Sequence, residues 1–66
     1  MMYRVRYRPL REPDTVGWSH PYASLFEAVE AARRLKADGC HVVIEQAGES
    51  YPLSLEEAEA LANSDL

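Results

Sequence analysis

Cys40 and His41 stand side by side, a thiol and an imidazole of the kind that together make a nucleophile and its base. The chemistry fails on geometry. The pair opens a run through Val42, Val43 and Ile44 that predicts a strand, and consecutive side chains of a strand leave a sheet on opposite faces. Cys40 then reads as a small buried hydrophobe, close to a helix C-terminus that disfavours a thiolate. Together with His20 and nearby carboxylates these residues also lack the Cys-x2-Cys or His-x3-His spacing that pre-organises zinc. Glu27, Glu56 and Glu57 fall in first turns of predicted helices, where negative charge serves the exposed amides and needs no acid–base role. Gly17, Gly39 and Gly48 are isolated, so no glycine-rich loop is available to cradle a nucleotide. No catalytic residue, metal or cofactor is assigned, and the chain reads as a non-enzyme.

Binding is the chemistry that remains. Residues 3–8 alternate strictly, Tyr3-Arg4-Val5-Arg6-Tyr7-Arg8, and with Arg11 they hold four of the seven basic side chains. Residues 1–11 sum to +4 and residues 12–66 to −8, giving the chain its net charge of −4. As a strand, this segment turns Tyr3, Val5 and Tyr7 to a core and Arg4, Arg6 and Arg8 away from it. The arginines then stand about 7 Å apart along one face, a ladder of cations that a chain of phosphates can follow. Single-strand recognition also uses stacking aromatics on the same face, and here the tyrosines point the other way. Carboxylates suit the arginines better, because arginine grips them through paired hydrogen bonds. Glu45 shares a face with His41 and Val43, and a neighbouring strand can set it beside an arginine.

A second contact region is Gly17-Trp18-Ser19-His20-Pro21-Tyr22. Tryptophan and tyrosine anchor many protein interfaces, although in so short a chain the only tryptophan is expected first as a large core side chain, with His20 at its rim. Arg4, Arg6, Arg8, Arg11, Trp18, His20, Tyr22 and Glu45 are the candidate interaction residues.

The elements that position these residues follow from local signals. Pro9 ends the first strand, and a second short strand is expected over about Val16–Tyr22, with Val16, Trp18, His20 and Tyr22 on one face and Pro21 making it an edge or ending it early. Ser24-Leu25-Phe26-Glu27 matches a capping box and opens a helix that runs to about Asp38 and stops at Gly39. Its buried stripe is Leu25, Ala28, Val29, Ala32 and Leu35, and Glu30 and Arg34 form a surface pair. Cys40–Gln46 is the third strand, Gly48-Glu49 a turn, and Ser50–Leu53 a short returning strand. Ser54-Leu55-Glu56-Glu57 opens a second helix to about Asn63 that packs Leu55, Ala58, Leu61 and Ala62 inward.

The expected fold is therefore α+β, a compact two-layer ββαββα domain whose four-stranded, mostly antiparallel sheet is covered by one long and one short helix. The two caps recur thirty residues apart, at Ser24 and Ser54, which suggests a pseudo-repeat of ββα units within one small domain. Sixty-six residues leave a small core, and self-association is the usual support where a lone cysteine cannot form an internal disulfide. Without a signal-like apolar run or a membrane-length segment, a cytoplasmic location and no membrane partner are expected. The functional expectation is a small accessory or protein-interaction domain, a homodimer or the partner of another small protein. Weak single-stranded nucleic-acid binding by the arginine stripe is the alternative.

Overall fold

Alternation and capping carry over into an antiparallel sheet under two helices. The structure, a computed structural model, describes residues 2–49 and 51–64. In chain order the elements are β1 (Tyr3–Pro9), β2 (Gly17–Trp18), α1 (Leu25–Ala37), β3 (Cys40–Gln46), β4 (Leu53–Ser54) and α2 (Leu55–Ser64). The sheet order is β2-β1-β3-β4, with every neighbouring pair antiparallel. The two seven-residue strands pair along their whole length in the centre, from Tyr3 opposite Gln46 to Pro9 opposite Cys40.

Both helices cover one face. Val5 and Ile44, directly paired across the ladder, are fully buried with Val42 beneath Ala28, Val29, Ala31 and Ala32 of α1 and Leu55 and Ala58 of α2. Tyr3, Tyr7 and Cys40 pack half-buried against this cluster, as the alternation of β1 and β3 requires. The alanines let α1 lie close to the sheet, and the buried stripe of α1 is wider than expected by Ala31. Leu61, expected to pack inward, lies 46% exposed, because the inner face of α2 runs through Leu55, Ala58 and Ala62.

The two helix starts are built as the capping signals predict. Ser24 Oγ accepts from the Glu27 amide and Ser54 Oγ from the Glu57 amide, each at 3.1 Å. At the far end of α1, Gly39 takes a positive φ of 93°, the left-handed geometry that ends helices without a Cβ penalty. The expected Glu30–Arg34 pair is not among the ion pairs of the described residues; Arg33 instead reaches across to Glu59 of α2 at 3.3 Å.

Two strands differ from expectation. The fourth is Leu53–Ser54, later and shorter than Ser50–Leu53, because Ser54 is both strand end and helix cap; Ser50 lies outside the described residues. The second shrinks to Gly17–Trp18. The long strands begin 37 positions apart, at Tyr3 and Cys40, whereas the caps Ser24 and Ser54 are 30 apart. No single sequence offset therefore carries one ββα half onto the other. Of the difference of seven, one residue lies in the loop between the strands (10–16 against 47–52) and six lie between the second strand and the cap, since Trp18 precedes Ser24 by six positions whereas Ser54 both ends β4 and caps α2.

Candidate binding face

The face of the sheet turned away from the helices carries Arg4, Arg6 and Arg8 of β1 and His41, Val43 and Glu45 of β3, as alternation demands. The ladder sets Arg4 opposite Glu45, Arg6 opposite Val43 and Arg8 opposite His41. Trp18 is opposite Arg6 on the other side of β1. One row across the sheet thus reads Trp18, Arg6, Val43.

Trp18 is a correction to the expectation of a core tryptophan. It is 48% exposed and stands on the arginine face, while Tyr22 packs half-buried against the core on the other. Four residues apart, the two would share a face in a regular strand. From Arg6 back to Tyr3 is three steps along β1, yet their partners Trp18 and Tyr22 are four steps apart. The extra residue is a bulge, and it inverts the alternation on one side of itself.

Ser19 and Pro21 explain where the bulge sits. The Val5 amide, which a regular ladder would satisfy with a backbone carbonyl, donates to Ser19 Oγ at 2.9 Å, and that hydroxyl donates onward to the His20 carbonyl at 2.9 Å. Pro21 has no amide to offer, and regular pairing resumes only at Tyr22, whose amide and carbonyl both bond Tyr3. His20 is left exposed, its ring 4.3 Å from that of Tyr22. Gly17 completes the arrangement: a Cβ there would come within 2.5 Å of the Tyr7 ring, which occupies the space under β2.

Glu45 organises the exposed face. Its Oε1 accepts from Arg4 Nε and from Trp18 Nε1, both at 3.0 Å, and its Oε2 is 3.4 Å from Arg6 Nη1. Trp18 and Glu45 belong to strands on either side of β1, so the indole lies across β1 to reach the carboxylate. The Arg4 guanidinium sits 5.4 Å from the indole centroid, within the range of a cation–π contact. Each exposed contact contributes only about 0.2–1 kcal/mol. Their effect is orientation: three side chains converge on one carboxylate and hold a large aromatic surface open to solvent.

The stripe is electrically uneven along its length. Arg4 and Arg6 share Glu45, whereas Arg8 faces the imidazole of His41 and makes no ion pair among the described residues. Arg11 lies in the turn beyond Pro9, exposed and outside the ladder. Of the eight candidate residues, the fold gathers Arg4, Arg6, Arg8, Trp18 and Glu45 on one face, leaves His20 and Arg11 at its margins, and withdraws Tyr22 to the core side. Cys40 and His41 diverge to opposite faces, half-buried and exposed respectively.

No protein-family model matches the chain, and neither a curated protein nor a solved structure matches it. The site is therefore read from its own geometry. Among the described residues no three histidine, cysteine or carboxylate side chains converge as a metal-binding group. Among the described residues no helix is long and apolar enough to cross a membrane.

The residue whose face the sequence alone misplaces is Trp18. Two signals in the chain bear on it. Pro21 interrupts amide donation in the middle of the expected strand, and Ser19 offers a hydroxyl where a carbonyl would otherwise serve. Neither fixes which side of the break is inverted until the partner strand is known.

Proposed function

We propose that this chain is a small, non-enzymatic interaction domain that self-associates through the open face of its sheet. The observation that carries the reading is Trp18, a half-exposed aromatic held in one orientation by Glu45 and Arg4 beside Val43. Oriented aromatics and arginines are the residue types that dominate protein contact energies.

The edges of the sheet favour the face over the edge as the contact. Both edge strands are two residues long, and prolines follow β2 at Pro21 and precede β4 at Pro52. Such edges offer little ladder for another chain to extend. The core adds a reason for association, since Ile44 and Val5 are its largest fully buried side chains. Covering Trp18 and Val43 would add apolar burial that the isolated chain lacks.

Light scattering across the micromolar range tests the reading. A mass rising to twice the 7.5 kDa of the chain is expected, with Trp18→Ala held at the single-chain mass. A wild-type chain that stays at 7.5 kDa throughout removes the proposal.

One observation favours a second reading, single-stranded nucleic-acid binding: Trp18 shares its face with three arginines, so an aromatic and a cation ladder are presented together. The net charge of −4 weighs against it. An oligonucleotide titration at two salt concentrations should show affinity falling as salt rises. No binding at low salt rejects it.

A further inference from the structure

The two ends of the open face are differently occupied, and the difference marks a site. At one end Arg4 and Arg6 are committed to Glu45; at the other Arg8 stands opposite His41 with no ion pair among the described residues. That second end is an open hollow of about 400 Å³ lined by Arg6, Arg8, Val16, Trp18, His41 and Val43, a size that suits a ligand. Three arginines and one glutamate leave the face two positive charges to spare in a chain whose net charge is −4. Its complement is an anion.

Trp18 specifies what the anion carries. Its Nε1 is spent on Glu45, so toward the Arg8 end the indole offers ring surface alone. Arg4, 5.4 Å from the ring centroid, borders the hollow at the Glu45 end, whereas the indole borders the one at the Arg8 end, in which Arg4 has no part. A flat ring stacked there must bring its negative charge to Arg8, two residues along β1 from the row of Trp18 and roughly 7 Å away. A nucleotide joins its base to a phosphate across one sugar, a span of that order. An acidic peptide side chain brings the charge without the ring. Carboxylates limit the length of the contact: Glu12 and Asp14 outnumber Arg11 in the loop beyond the Arg8 end, and Glu49 rims the hollow at the Glu45 end. A strand that continues past either end meets like charge, screened only over about 8 Å in physiological salt.

Resting on the nucleic-acid reading above, we infer that the Arg8 end of the face is a single-nucleotide site, in which one base of a single strand stacks on Trp18 and its phosphate is bound by Arg8 with Arg6 adjoining. Arg4 and Glu45 are positioning residues: they hold the indole from the other end and contact no phosphate. The three arginines are then not an equivalent ladder. Arg8 supplies the charge that the ligand meets, and Arg4 supplies the orientation of the ring.

Trp18 is the only tryptophan, so its fluorescence reports the site directly. A short single-stranded oligothymidylate is expected to quench it. The logarithm of affinity should fall against that of salt with a slope of about −0.7 for one phosphate, or about −1.4 with Arg6 engaged, against about −2.8 for a ladder of four arginines. Anisotropy of the labelled oligonucleotide compares variants shown to fold by far-UV circular dichroism. Arg8→Ala should weaken binding about tenfold, while Arg34→Ala, which removes the same charge from α1 in the other layer, should stay within about twofold of wild type. The inference is overturned by the four-arginine slope, by binding that leaves Trp18 fluorescence unchanged, or by equal effects of Arg8→Ala and Arg34→Ala. If Arg8→Ala does not fold, the wild-type slope and quenching decide. Displacement of the oligonucleotide by an acidic peptide of equal charge at a lower concentration also overturns it and assigns the hollow to a protein carboxylate. An oligonucleotide that fails to bind at low salt overturns the nucleic-acid reading beneath it, a different result from binding that is indifferent to Arg8.

Discussion

Val5 and Ile44 face each other across the central ladder with no exposed surface, and one residue away on the same two strands Arg4 and Glu45 face each other with 52% and 25% of their side chains exposed. The backbone pairing is the same for both. What differs is which side of the sheet the helices cover. On the covered side, stability comes from apolar area removed from water, a large term that tolerates little change in volume. On the open side, the contacts are charged and solvated, individually worth little, and their product is a fixed orientation for Trp18. One face holds the fold together and the other presents a surface.

The comparison breaks most visibly if the covered face is cut. Ile44→Ala should cost about 2–5 kcal/mol, a large share of the stability of so small a domain, read as a drop in the urea midpoint by circular dichroism. A loss below about 1 kcal/mol would contradict the packing described, since a fully buried side chain would then leave no cavity behind it.

Gly17→Ala tests the seam between the faces. Its backbone is not in the left-handed region, so any cost comes from collision with the Tyr7 ring, expected at about 1–3 kcal/mol in the same measurement. Equal stability to wild type would mean that the ring swings aside freely. The caps come next: Ser24→Ala and Ser54→Ala should each lose about 1 kcal/mol, visible as lower thermal midpoints.

Glu45→Gln sharpens the other side of the comparison. Its stability should stay within about 0.5 kcal/mol of wild type, while the indole, its tether weakened, should become more accessible to a fluorescence quencher such as acrylamide. A large loss of stability would show that the open face holds the fold together after all. Unchanged quenching would show that Glu45 does not orient Trp18.

Much of this architecture was legible residue by residue because the signals are local. Alternation at a spacing of two sends Val5 inward and Arg4, Arg6 and Arg8 outward, and Cys40–Gln46 is the third strand as expected. A serine three residues before a glutamate caps each helix, and Gly39 ends the first. These interactions span a few residues of one chain segment, so the sequence carries their cause next to their effect. Glu45 beside an arginine was legible too, once it shared a face with His41 and Val43.

Trp18 was not. Its face depends on a bulge created where Ser19 replaces a backbone carbonyl as the partner of Val5, fourteen residues away, and where Tyr22 resumes pairing with Tyr3. Leu61 is a smaller case, left 46% exposed because the inner face of α2 runs through Leu55, Ala58 and Ala62. By itself the sequence determined the α+β layering, the two caps, the central strands and the side of β1 on which the arginines stand. Only the tertiary structure decided that the tryptophan joins them, because a one-residue shift in register inverts every side chain beyond it and is set by the neighbouring strand.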